Sequence, residues 1–269
     1  MMASVRSLNL NRSESMYSAL SRNVLLIVIL LLLGVVQSYA KFNPPRIIQV
    51  VRGGGRDTGA VLNSAALAAS QERTYYMDRG SDANINVGNV LNVYREKKIP
   101  LGLGMTQSMR ILMGTMTITA SQEGISVGRF APDLLIVSNP MVRVKGAMKG
   151  DTVVPKLKLD SSVLFDPGQS GLTAAAQQEL EKVAQFVQNF SPTTLVIEGH
   201  TDSDGDESAN QLLSEMRAKI IKDWLVTSYE YITGDMTVAR GYGEMRPLVS
   251  NDTPENKALN RRIEIVVWE

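Results

Sequence analysis

Hydrophobic and polar positions recur along this chain with two different periods, and the change of period divides it. In "INVGNVLNVYRE" (85–96) apolar and polar residues alternate around a Val-Gly-Asn turn. That is the period of a strand with one buried face. "ILMGTMTITASQEGISVGRF" (111–130) repeats it as two short strands around Gln122-Glu123-Gly124, and "LLIVSN" and "MVRVKG" add strand-like runs. Residues 75–150 are therefore expected to form a small all-β module, a meander or small barrel. Beyond 151 a longer period enters. "KLKLDSSVLFD" (156–166) still alternates and predicts a strand. In "LTAAAQQELEKVAQFVQNF" (172–190) Ala176, Leu180, Val183, Ala184, Val187 and Phe190 recur at steps of three and four, which predicts an amphipathic helix. Thr173 is the expected N-cap, and Pro192 lies past the end. "TTLVIEG" (193–199) predicts a buried strand. A second helix is expected from about Glu207 to Thr227, with Leu213, Met216, Ile220, Trp224 and Leu225 inward. "MTVARGYG" (236–243) and "RRIEIVVWE" (261–269) complete the set. The order β-α-β-α-β-β predicts an α/β sandwich over 151–269, with helices on one face of a mixed sheet.

The N-terminus reads as an address. Val24 to Val36, "VLLIVILLLLGVV", is an apolar run of 13 residues preceded by Arg6, Arg12 and Arg22. Ser38 and Ala40 occupy the small-residue positions of a secretory cleavage site. The stretch from Asn23 to Ala40 also holds 18 uncharged residues, so an uncleaved anchor stays open beside cleavage after Ala40. Both readings export the rest, to the periplasm, with attachment to the inner membrane or association with the outer membrane. Residues 41–74 read as a linker or arm. Their glycine triplet (53–55) lacks the flanking strand, Lys and Ser/Thr of a phosphate loop.

Composition changes this picture in two ways. The 269-residue chain has no cysteine, which excludes disulfides, zinc–thiolate sites and thiol nucleophiles. The net charge of +1 hides an asymmetry: 17 Lys/Arg against 8 Asp/Glu in residues 1–150, and 11 against 19 in 151–269. The acidic part is unsuited to phosphate backbones, and the basic part shows no aromatic-interleaved patch, so nucleic acid is not an expected partner.

The candidate chemistry lies in "IEGHTDSDGDESANQLLSEMRA" (197–218), which holds the sole histidine. Asp202, Asp204 and Asp206 resemble the start of a calcium loop. Counted from Asp202, however, the sixth residue is Glu207 and the twelfth is Leu213, where that loop needs Gly and Glu. One His and no Cys leave zinc only carboxylates. His200 has no nucleophile elbow to serve anywhere in the chain. No metal, cofactor or catalytic residue is expected. Thr201 and Asp202 lie at the mouth of a strand, and Asn210, Ser214 and Arg217 share one helix face. Asp202 and Arg217 then fit either a structural ion pair or a shallow site for a zwitterion, carboxylate to ammonium and guanidinium to carboxylate.

Four ordered blocks, "GHTD", "N-x-x-LS-x-x-RA", "GYGE-x-x-P" and "NRR-x-E", resemble the OmpA-like peptidoglycan-binding domain of OmpA C-termini, Pal and MotB. The likeness covers about 155–269, including "VLFDPGQSGLT". It implies a non-catalytic wall anchor whose Asp202 and Arg217 clasp the diaminopimelate residue of the stem peptide. It further implies that Asn210 orders the loop and contacts ligand and that Asp166 lies near the pocket. Arg262 is expected to brace the pocket and His200 to be structural. Lys257 stands where that family usually has a Gly-Arg pair. "NVGNVLNVYR … GTMTITASQEGISVGRF" is similar to small barrels of periplasmic assembly proteins such as the flagellar outer-ring family. The apolar run has no carboxylate, which excludes an ion-conducting stator subunit. The expected partners are peptidoglycan and, through residues 41–150, envelope, motor or secretion proteins, with a homo-oligomeric ring left open. The competing reading is an assembly protein whose OmpA-like domain makes only protein contacts.

Overall fold

Among the described residues nine strands form one sheet, in the order β1 (Ile47–Arg52), β2 (Arg73–Met77), β5 (Ile125–Pro132), β4 (Met105–Gln122), β3 (Val90–Gly102), β6 (Thr152–Asp160), β9 (Arg262–Trp268), β7 (Thr194–Gly199) and β8 (Thr237–Gly241). The computed structural model describes residues 42–52, 73–102, 105–140 and 142–269; the expectations for the N-terminal address and the glycine triplet lie outside these residues. Lys41–Glu269 is one compact unit.

The first strands are β1 (Ile47–Arg52), β2 (Arg73–Met77), β3 (Val90–Gly102), β4 (Met105–Gln122) and β5 (Ile125–Pro132). All their pairings are antiparallel. β1 lies inside the stretch read as a linker. Its start also meets the start of β6 (Thr152–Asp160) through an Arg46–Thr152 bridge. Ile47 N–H donates to the Asp151 carbonyl at 3.0 Å, and Val153 N–H to that of Pro45 at 2.7 Å. The ribbon thus curls into a barrel around Tyr75, Met77, Met113, Met116 and Phe130, all buried.

Two runs expected as strands are not strands. "LLIVS" is the short helix α1 (Leu134–Ser138), because the Asp133 carboxylate accepts from Leu135 N–H and starts a turn. "MVRVKG" forms no strand among its described residues. Arg95 instead pins this loop, with its guanidinium on Asp151 and on the carbonyls of Val144 and Gly146.

β6 changes partner midway. Thr152–Pro155 pairs with β3, and Lys156–Asp160 with β9 (Arg262–Trp268). It ends at Asp160, short of the expected 166, because that carboxylate caps α2 (Ser161–Leu164). β9 is antiparallel to β7 (Thr194–Gly199), which is parallel to β8 (Thr237–Gly241). The helices α3 (Ala176–Phe190), α4 (Glu207–Ser228) and α5 (Pro254–Asn260) complete this α/β sandwich. The expected stripe of α3 is buried at all six positions; each fully buried Leu, Val or Phe contributes about 1.5–3 kcal/mol. Thr173 does not cap it. Its hydroxyl donates to the Val163 carbonyl, and Ala175 is the N-cap.

The burial phase of α4 also differs from expectation. Met216 is exposed and Leu213 only partly covered; the inward positions are Asn210, Ser214, Arg217, Ala218, Ile221 and Leu225. These repeat at helical spacing, but the first half of the stripe is polar: Asn210 and Arg217 line a cleft, and Ser214 lies against the sheet, its hydroxyl accepting from Gly243 N–H. The helix sits close to the sheet. A Cβ at Gly199 would lie 2.3 Å from the Ser214 carbonyl oxygen, and one at Gly241 2.4 Å from Glu215 N. Both glycines are therefore required by the approach of α4.

Candidate functional site

A cleft of about 400 Å³ opens where β7 ends, between the α2 turn, the N-terminal half of α4 and the end of α5. Asp202, Arg217, Arg261 and Thr201 line it with Phe165 and Leu213. Each is positioned by local chemistry. Asp206 caps α4, accepting from the N–H groups of Ser208 and Ala209. Asn210, one turn in, turns its amide onto the carbonyls of Asp202 (3.3 Å) and Asp204 (3.0 Å) and onto Glu244 (2.8 Å). It therefore ties the 202–206 loop to the Tyr242–Met245 turn. The Thr201 N–H donates to the Gly243 carbonyl.

Asp202 and Arg217 do not pair with each other. One carboxylate oxygen of Asp202 meets Arg261 at 2.5 Å, and the other accepts from Asp204 N–H. Arg217 is 5% exposed. Its three nitrogens donate to the Gln169 carbonyl (2.8 Å), the Ser161 hydroxyl (3.1 Å) and the Asp166 carbonyl (3.3 Å). Its guanidinium lies 5.0 Å over the Phe165 ring. All these partners are uncharged. Burial, then the neighbouring Arg261 charge, lowers its pKa, and Asp202 opposes them. A buried guanidinium with neutral partners beside a cleft favours an incoming anion.

Two residues of the expected site sit elsewhere, and one contributes differently. Asp166 offers Arg217 its main-chain carbonyl while the residue itself is exposed and outside the cleft lining. His200 and Arg262 face the other side of the sheet. Arg262 bonds Glu264 at 2.7 Å and the carbonyls of Asn260 and Arg246. His200 stacks on Tyr242, with neither ring nitrogen hydrogen-bonded among the described residues. Burial, aided by the Arg262 charge, pushes its pKa down to about 3, so it is neutral at pH 7.

Arg261 is the second arginine of the cleft, which sequence reasoning missed, and strand parity could have found it. Residues 261, 263, 265 and 267 share one face, and Ile263, Ile265 and Val267 pack in the core beneath the helices. Residues 262, 264, 266 and 268 share the other. The arginine of "NRR" that reaches the cleft is therefore the first.

The second face gathers Glu198, His200 and Glu264, whose ligand atoms lie within 4.8 Å of one another. As a metal site this donor set is poor. Both oxygens of Glu264 are already engaged, one by Lys156 at 3.1 Å and one by Arg262 at 2.7 Å. Burial drives the Glu264 pKa up, but Lys156 and Arg262 together bring it down to about 2.

A model of the OmpA family matches residues 164–261. This stretch is an OmpA-family domain. The chain is 40% identical to outer membrane porin F of Pseudomonas aeruginosa over 42% of its own length and 32% of that protein. It is 32% identical to the peptidoglycan-binding protein ArfA of Mycobacterium tuberculosis over 59% of its length and 53% of that protein. The chain thus spans about a third to a half of these relatives. Among solved structures, a putative MotB-like protein from Desulfovibrio vulgaris matches with 27% identity and a TM-score of 0.39, over 47% of this chain and 76% of that one. In the OmpA-like domain the cleft lies at the C-terminal end of β7, and "GHTD", the α4 arginine and "NRR" all reach its neighbourhood.

Proposed function

We propose that the OmpA-like domain binds the free end of a diaminopimelate-type stem peptide of peptidoglycan, without catalysis, and tethers an envelope assembly to the wall. The supporting observation is the charge arrangement of the cleft. Arg217 is buried on neutral oxygens and receives a ligand carboxylate; Asp202 and its partner Arg261 supply the second pole, where the Asp202 carboxylate accepts from the ligand ammonium. The domain relationship to a peptidoglycan-binding protein and to outer-membrane proteins supports the same ligand class and an envelope location. The barrel half, with the cationic balance of residues 41–150, is the side that holds the assembly.

The test is co-sedimentation of the chain with isolated peptidoglycan. Arg217→Ala and Asp202→Ala are each expected to weaken binding by about 10- to 100-fold, the range of a lost charge-assisted hydrogen bond. Retention of both variants at wild-type levels, with native circular dichroism, would sink the assignment of this cleft. Binding of a protein partner but not of wall by the wild-type chain would favour the assembly reading.

A further inference from the structure

The β3–β4 hairpin runs well beyond the barrel. β3 last pairs with β6 at Tyr94, and β4 first pairs with β5 at Gly114. From Arg95 to Gly102, and from Met105 to Leu112, the two strands pair only with one another among the described residues. Eight residues of strand reach about 26 Å. A two-stranded ribbon with both edges open is marginal in water and needs a surface to rest on.

Its composition says which surface. From Lys97 to Gln122 the sequence contains no acidic residue. At the last described residues before the turn the exposed side chains include Leu101, 58% exposed, Met105, 57% exposed, and Pro100, with Ile99 and Met109 half-covered; Thr106, Gln107 and Ser108 are the exposed polar side chains beside them, and none is charged. Behind this apex stand Lys97, half-exposed, and Lys98, exposed. The carboxylate just below, Glu96, accepts from Ser108 at 2.5 Å. Apolar side chains at an apex with a cationic collar match a bilayer whose headgroups are anionic: the apex enters the acyl boundary and the lysines meet phosphates. A protein partner recognised through open strand edges would need neither the apolar apex nor the collar.

We propose that the apex of this ribbon inserts into an anionic lipid surface, holding the barrel at a membrane while the OmpA-like cleft faces the wall. The test uses residues 41–269, the compact unit with its own core, which omits the N-terminal apolar run. The probes are neutral phosphatidylcholine vesicles and vesicles with about a third phosphatidylglycerol. Flotation with the anionic vesicles is expected. Lys97→Gln and Lys98→Gln should each weaken it about fivefold, and Leu101→Asp with Met105→Asp should abolish it. Because the chain lacks cysteine, Leu101→Cys accepts a single environment-sensitive fluorophore, whose emission should shift to the blue on adding anionic vesicles. No flotation with either vesicle, equal flotation of the Asp variant, equal binding to neutral vesicles, or an unchanged fluorophore would each overturn the proposal. The substituted side chains are exposed or half-exposed, so folding should not change.

Discussion

At one end of the sheet, neighbouring residues serve two faces with different chemistry. Asp202 and Arg261 belong to the cleft face, and His200 and Arg262 to the opposite one. On the second face the charges saturate one another: Glu264 holds Lys156 and Arg262 on its two oxygens, and all three are less than 10% exposed. On the cleft face the charges are left incomplete: Arg217 has only neutral partners, and Asp202 shares its charge with an arginine that is 41% exposed. A closed network specifies structure, whereas an open one favours a ligand that completes it. Charge type alone, which the two faces share, does not separate the two roles. Completeness and access do.

The largest expected effect breaks the closed face. Glu264→Ala leaves Lys156 and Arg262 buried without their carboxylate and should cost about 3–5 kcal/mol of stability, read from urea unfolding. Wall binding per folded molecule should be unchanged. If binding falls while stability holds, the roles of the two faces are reversed. Acid probes the same face less severely. The His200 pKa is about 3 in the folded chain against an ordinary 6.5, so on acidification the unfolded chain takes up its proton first. Stability from this group is intact above about pH 6.5 and is lost towards pH 3, by up to about 1.4 kcal/mol per unit. Glu264, held low, adds a loss below pH 4.5. Glu198, raised by burial and by the Glu264 charge, offsets part of the His200 loss just above pH 4.5. Between pH 7 and pH 5 the wild type should lose about 2 kcal/mol to His200. His200→Gln, which has no such proton to take up, should lose less than half as much; an equal loss would remove His200 as the cause.

Strand and helix periods were legible wherever one face meets a continuous core, as in α3 and β7. They misled where a polar contact replaces burial. The inward stripe of α4 begins with Asn210, Ser214 and Arg217, so an apolar count shifts the helix by a residue or two. "LLIVS" has the residue types of a strand, yet the Asp133 cap winds it into α1 and leaves Leu134, Leu135 and Val137 exposed. That Asp202 and Arg217 line one cleft was legible, because the spacing of strand end and helix face constrains both. Their separate partners were not. Arg261 pairs with Asp202 across 59 positions, and a contact of that sequence separation follows from sheet register, which no local pattern carries.

Asp166 gives the smallest effect and the sharpest test of what a site residue contributes. Resemblance places it beside the pocket, and it is beside the pocket, but only through its backbone. Its carbonyl accepts from Arg217 at 3.3 Å and from the Gln169 N–H at 3.0 Å, which closes the turn, and the residue itself is exposed. Asp166→Asn removes one charge, keeps the backbone oxygen and keeps a side chain that suits the turn before Pro167. Wall binding should therefore stay within about twofold of wild type, since an exposed charge outside the cleft acts only through screened distance. The co-sedimentation assay that resolves Arg217→Ala reads this directly. A loss comparable to Arg217→Ala would mean that the carboxylate enters the cleft when ligand arrives, and the open face would then contain a third charged group that closes on binding.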